Sequence, residues 1–145
     1  MKIENFFSDA EKKAIQNAIA EAELNTSGEI RVHIDRTCSG DPVQSAIDLF
    51  EQLNMHHTEQ RNGVLFYLAL ETKKFAIVGD TGINQVVPAN FWDTIKETVI
   101  NQFKSQQFAT GLCEGIRMAG EKLKQHFPYQ TGDTNELSNE ISFQE

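Results

Sequence analysis

The stretch RNGVLFYLALETKKFAIVGDTG, Arg61 to Gly82, decides the fold. Val64 to Leu70 is an unbroken apolar run, and only Glu71-Thr72-Lys73-Lys74 separates it from Phe75-Ala76-Ile77-Val78. The first run is too short for a free helix, rich in β-formers and bounded by turn residues. It reads as a strand buried on both faces. The second run reads as its antiparallel hairpin partner. Arg61-Asn62-Gly63 enters the pair and Gly79-Asp80-Thr81-Gly82 leaves it. The entry of the first strand and the exit of the second lie at one end of a hairpin, so Arg61, Asn62 and Asp80 are expected to be neighbours.

Upstream of the hairpin the pattern is helix, strand, helix. Ser8-Asp9-Ala10-Glu11 is a capping box, with Phe6 or Phe7 placed as a staple. It opens a helix to about Leu24 whose apolar face is Ala14, Ile15, Ala18, Ile19 and Ala22. Lys12, Lys13, Glu21 and Glu23 read as its solvated side. Asn25-Thr26-Ser27-Gly28 breaks that helix. From Glu29 to Arg36, Ile30, Val32 and Ile34 alternate with Glu29, Arg31, His33 and Asp35, which predicts a strand with one polar or partly covered face, near a sheet edge. Asp41-Pro42 caps a second helix, with Ala46, Ile47, Phe50 and Leu53 as its buried stripe. A strand–helix–strand crossover makes the Glu29 strand parallel to the Val64 strand, and it is right-handed. Both strands then start at the same end of the sheet, which brings Ser27 and Glu29 to Arg61, Asn62 and Asp80.

Downstream, Ile83 to Val87 reads as either a helical turn or a short strand. Pro88 is expected to open a helix to about Phe103, with Phe91, Trp92, Ile95, Val99 and Phe103 inward. A last helix runs from Phe108 to His126, with Leu112, Ile116, Ala119 and Leu123 inward. Residues 129–145 hold four acids and no Lys or Arg, so one α/β domain over 1–128 with a disordered acidic tail over 129–145 is expected. Half of the net charge of −8 falls in that tail.

At 145 residues the chain suits a single domain with its own core. Its negative charge disfavours nucleic acid and anionic membranes as partners and favours divalent cations or basic partners. Cys38 and Cys113 have no metal-type spacing and read as free thiols, although one long-range disulfide stays open. No run approaches the roughly 18 apolar residues of a membrane span, and Met1 to Phe7 has no signal-peptide core. A soluble, cytoplasmic, monomeric protein with an unknown protein partner is the expectation.

Thr26-Ser27-Gly28-Glu29-Ile30, Arg61-Asn62-Gly63-Val64-Leu65, Lys74-Phe75-Ala76-Ile77-Val78-Gly79-Asp80, Gly82-Ile83 and Phe91-Trp92 together resemble the TPM-domain family, over roughly residues 5 to 128. The match is to its short, single-domain bacterial members. The resemblance implies a three-layer α/β/α sandwich with helices on both faces of a small mixed sheet of three or four strands. It also implies a divalent cation, Ca²⁺ or Mg²⁺, at an acidic site at one sheet end. Acid-phosphatase activity is attributed to plant relatives, and membrane-protein quality control to others. Two positions depart from the family: many members have an acid where Arg61 stands, and an Asp where Pro88-Ala89 stands. The phosphatase reading therefore carries over poorly.

The metal candidates are Glu29, Asp80 and Asn62, with Ser27, Arg61 and Thr81 as further ligand-binding residues. Two carboxylates, an amide and a hydroxyl are the oxygens a hard cation takes. The competing structural reading is that Glu29 and Asp80 pair with Arg61 or cap helices. Arg61 also has the fork to bind a phosphate or carboxylate. Asp35 and Glu71, at the carboxyl ends of the parallel strands, form the geometric rival. His33, His56, His57 and His126 show no zinc spacing and read as structural or surface residues. Three functions follow: a non-catalytic cation-binding module acting through protein contacts, a metal-assisted phosphomonoester hydrolase, and an interaction domain without a small ligand.

Overall fold

The structure, a computed structural model, describes residues 1–129, 137 and 139–145. After a single 3-10 turn at Ile3–Asn5 come α1 (Asp9–Ala22), β1 (Glu29–Asp35), α2 (Pro42–Gln52), β2 (Gly63–Ala69), β3 (Lys74–Gly79), α3 (Thr81–Asn84), α4 (Asp93–Lys104), α5 (Phe108–Leu123) and β4 (Ser142–Gln144). The strands form one mixed sheet in the order β3-β2-β1-β4. β2 is antiparallel to β3 and parallel to β1, and Glu29 lies in register with Gly63. The hairpin and the crossover therefore stand as the apolar runs dictate.

The side-chain period of a strand builds two cores. Ile30, Val32 and Ile34 of β1 and Val64, Phe66 and Leu68 of β2 pack under α1, α4 and α5. Leu65, Tyr67 and Ala69 face the other way, onto Ala46, Leu49 and Phe50 of α2. The result is a three-layer α/β/α sandwich. β2 is buried at every position because both of its faces are covered. Full burial of a side chain such as Phe66 is worth about 1.5–3 kcal/mol.

The caps form as their residues require. The Ser8 hydroxyl accepts from the Glu11 amide while Glu11 accepts from the Ser8 amide. Asp41 accepts from the Val43 amide one residue before Pro42. Gly120 lets α5 close on α1: a Cβ there would stand 2.8 Å from the Ala22 Cβ. That contact is too short for any side chain.

Three expectations are corrected. Pro88 does not open α4. Residues 88–92 form successive turns, with the Phe91 amide on the Pro88 carbonyl and the Asp93 amide on the Asn90 carbonyl, and the helix begins at Asp93. The buried stripe of α2 is rotated: Leu49 is inside and Ile47 is 45% exposed. The carboxyl terminus is not wholly disordered, because Ser142–Gln144 pairs in parallel with His33–Asp35. Arg36 grips the Glu145 carboxylate at 2.6 Å, and Glu145 also accepts from the Ile3 amide. These anchors hold a strand too polar to be recognised by its own pattern. The rest of the expected tail, 130–136 and 138, lies outside the described residues.

Candidate functional site

The end of the sheet where β1 and β2 begin holds Ser27, Glu29, Arg61, Asn62, Asp80 and Thr81, while the rival pair Asp35 and Glu71 lies at the other end. The Glu29 amide donates to the Asn62 carbonyl, and the Asp80 amide to the Gly63 carbonyl. The Asn62 side-chain amide donates to the Ser27 hydroxyl at 3.3 Å. Glu29, Gly63 and Asp80 thus occupy one row across β1, β2 and the end of β3, on the α2 face.

That row does not merge its two carboxylates. The space over Gly63, between them, is filled: a Cβ there would meet the Met55 carbonyl at 3.0 Å, Phe50 at 3.4 Å and Leu137 at 3.6 Å. Each acid has its own surroundings.

Asp80 is committed to protein groups. Arg61 holds it through Nε at 2.7 Å and Nη2 at 2.9 Å, and the Thr81 amide donates to it as α3 begins. Arg61 itself sits at φ 50°, a left-handed conformation that costs a non-glycine residue about 1 kcal/mol or more. The turn is pinned, because the Gly82 amide donates to the Arg61 carbonyl, and a Cβ on Gly82 would fall 2.2 Å from the Gln60 carbonyl. An open cleft of about 490 Å³ adjoins the pair, walled by Ile47, Glu51, His56, Thr81 and Asn84 among others.

Glu29 is buried, and it accepts from the Leu137 amide at 2.7 Å. Its partner in charge is Glu23, a residue the sequence reading left on the solvated side of α1. Glu23 follows the last turn of α1, and its carboxylate accepts from the Ile30 amide at 3.1 Å. Among the described residues β4 pairs with β1 only from His33 onward, and at the start of β1 a side chain, that of Glu23, takes the Ile30 amide. Burial first, and the charge of Glu29 besides, push the Glu23 carboxyl up to about 7, against hydrogen bonds from Ile30 and Asn139 that pull it down. Two acids separated by a short strand entry were the available signal, because a helix end and a strand start must meet there.

The opposite end of the sheet is a closed hydrogen-bond chain. Tyr67 donates to Asp35 at 2.6 Å, and His33 Nε2 lies 2.6 Å from the other Asp35 oxygen. His33 Nδ1 lies 2.8 Å from the Ser142 hydroxyl on β4. Burial holds the His33 pKa below its usual value, against the pull of Asp35. In that neutral ring, Nε2 donates to Asp35 and Nδ1 accepts from Ser142. Burial, joined by the Asp35 hydrogen bond, raises the Tyr67 hydroxyl. Cys38 lies alongside, its Sγ 3.3 Å from the Ser45 hydroxyl. Burial works to raise this thiol, but its hydrogen bonding with Ser45, its contact with Tyr67 and the Gly40 backbone outweigh it and leave it lowered. Glu71 does not join Asp35; it pairs with Arg36 on the surface. Cys113 is buried in the helical layer and both cysteines are free. His56 and His57 stack edge to face at 4.3 Å beside the Asp80 cleft. Among the described residues no three His, Cys, Asp or Glu gather in one place, and no helix is long and apolar enough to cross a membrane.

A small three-layer α/β/α domain, with a hairpin, one parallel crossover and charged residues at the strand entries, is the class of protein defined here. The chain belongs to the TPM-domain family, whose pattern matches residues 2–122. It is similar in structure to the BA42 protein of the psychrophilic bacterium Bizionia argentinensis, solved by NMR, with 48% identity, a TM-score of 0.91 and 98% of each chain covered. The N-terminal domain of a P. gingivalis protein shares the fold at 18% identity and a TM-score of 0.68, covering 87% of this chain and 82% of that one. The N-terminal domain of the cg2496 protein of Corynebacterium glutamicum does so at 15% identity and 0.64, covering 97% and 82%. No curated protein matches the chain.

Proposed function

We propose that this domain is a non-catalytic module that takes a divalent cation, Ca²⁺ or Mg²⁺, at the entry of β1 and acts through protein contacts. Glu23 and Glu29 supply the carboxylates, and Ser27 and Asn62 supply neutral oxygens at the same sheet end. One observation carries the reading: Glu23 is held up to about 7 by burial and by Glu29. A half-buried carboxyl raised in this way next to a buried one is relieved by a double positive charge, and hard cations take oxygen donors of this kind. Asp80 is set aside from the ligand set, because Arg61 and the Thr81 amide already occupy its carboxylate. With two carboxylates in the set, water completes the shell. Glu29 also holds the Leu137 amide, so the ion would act on the chain segment that leads to β4. Membership of the TPM-domain family supports a role in envelope or membrane-protein maintenance.

The test is an NMR titration of backbone amides with Ca²⁺ and then Mg²⁺ at neutral pH. Shifts confined to residues 23–30, 62 and 137–139 are expected. Glu23→Gln and Glu29→Gln should each weaken them at least tenfold, and Asp80→Asn should leave them in place. Shifts centred on 61 and 78–84 would transfer the ion to Asp80, and no localised shift at millimolar metal would remove the cation from the account.

A further inference from the structure

A cavity of the helical layer lies across the sheet from the Tyr67–Asp35 chain, on the face that Leu68 shares with α4 and α5. It is about 500 Å³, within the usual range of small-ligand sites, and is lined by Leu68, Phe75, Ile100, Phe103 and Phe108 with Lys73, Lys104 and Gln106. It sits where β2 ends, the β2–β3 turn reverses, and α4 hands over to α5. Three partly exposed phenylalanines form its wall: Phe103 packs edge-on to Phe75 at 5.4 Å and lies 5.2 Å from Phe108. Aromatic surface is costly to leave facing water, and here it is gathered around a hollow rather than interlocked.

The polar groups of this hollow all favour one sign of charge. Among the described residues its only charged lining residues are Lys73 and Lys104. Neither takes part in an ion pair among the described residues. In a chain of net charge −8, two unpaired lysines over one apolar cavity are a local reversal. The amino terminus of α5 adds to it. No side chain caps that sixteen-residue helix. The residues on either side of its N-cap, Gln106 and Phe108, both line the cavity. An uncapped helix start offers amide hydrogens and the positive end of the helix dipole. The rim is held in unusual backbone, with Lys73 at φ 55° and Gln106 at φ 60°. Left-handed non-glycine residues at a ligand rim are strain kept in place by the surrounding structure.

We propose that this cavity binds a small organic acid with an apolar body, such as a medium-chain fatty acid or an aryl carboxylate. The carboxylate lies at the start of α5 between Lys73 and Lys104, and the chain or ring lies against Leu68, Phe75, Phe103 and Phe108. The site is independent of the cation reading, because it shares no residue with the β1 entry. It is fixed to a free acid rather than a membrane surface, because the apolar part is a hollow of molecular size with a narrow cationic rim.

The experiment is an amide NMR titration of the full chain with decanoate, decanol and decyltrimethylammonium, each kept below its micelle concentration. Decanoate should shift residues 68, 73–75 and 100–108 with submillimolar affinity. Decanol should bind at least tenfold more weakly, and the cationic amphiphile more weakly still. The Lys73→Gln, Lys104→Gln double variant should lose the preference for decanoate over decanol while keeping its native spectrum. Phe103→Leu, a milder change of the wall, should weaken both ligands alike. Equal binding of all three amphiphiles would remove the anionic head from the proposal, and no shift at those residues would remove the site. Shifts there that grow with protein concentration alone would assign the cavity to a second copy of the chain instead.

Discussion

At the carboxyl ends of β1 and β2, Ser142, His33, Asp35 and Tyr67 satisfy one another in a closed chain; at the amino ends, backbone amides hold Glu23, Glu29 and Asp80, joined by Asn139 at Glu23 and by Arg61 at Asp80. The first arrangement is finished: each side chain has found its partner inside the fold. The second leaves Glu23 with a charge disfavoured first by burial and then by the neighbouring Glu29. A sheet with both ends polar therefore separates two roles, one end fastening the layers and the other keeping charge available.

The two ends also answer pH in opposite directions. The Glu23 carboxyl is raised in the fold, from an ordinary 4.5 to about 7, so its contribution is complete below about 4.5 and is lost as pH rises through about 7. The His33 ring is lowered in the fold, so its contribution is present above its ordinary 6.5 and is lost as pH falls through the folded value. Acid loosens the fastened end while relieving the charged one.

The largest effect that would break this contrast is at Asp35. Asp35→Ala leaves the buried Tyr67 hydroxyl and His33 without their common acceptor, and should cost about 3 kcal/mol in urea unfolding. A loss below about 1 kcal/mol would mean that the closed chain fastens nothing. Next comes Glu23→Gln, which keeps an acceptor for the Ile30 amide and removes the charge. It should stabilise the protein by about 2 kcal/mol at pH 8 and by almost nothing at pH 4, the figure being discounted for partial exposure. A pH-independent difference would remove the repulsion from the argument. Arg61→Ala should lower the urea midpoint by leaving Asp80 to the Thr81 amide alone, and Arg61→Gly should lower it less, since glycine accepts φ 50° freely. If the two variants unfold alike, the left-handed turn stores no strain. The smallest effect is Ser142→Ala, about 1 kcal/mol, read as a lower melting temperature together with a shifted His33 ring resonance.

Much of this was legible in the residues because the decisive signals are local. The β2–β3 hairpin follows from two apolar runs and four turn residues, and the capping box at Ser8 and the Asp41-Pro42 start need only their own neighbours. The shared end of Ser27, Glu29, Arg61, Asn62 and Asp80 followed from one topological rule. What escaped was set by distant contacts. β4 is polar and short, and it is a strand only because Arg36, the Ile3 amide and the β1 edge receive it. Glu23 looked solvated on a helical wheel, but its carboxylate turns to the Ile30 amide on β1, a contact that no wheel shows. Glu29 and Asp80 share a row, but periodicity cannot tell that Phe50, Met55 and Leu137 fill the place between them. Ile47 was misplaced by a single helical position, and this decides whether it enters the core or the wall of the Asp80 cleft.

The contact of Gly120 with Ala22 has a mechanical consequence. Two helices that touch backbone to backbone are keyed, and sliding or rolling one of them by a turn would drive larger side chains into a gap that admits none. The α1–α5 layer is thus a fixed plate. Whatever this domain does on meeting a ligand, α1 and α5 move as one body.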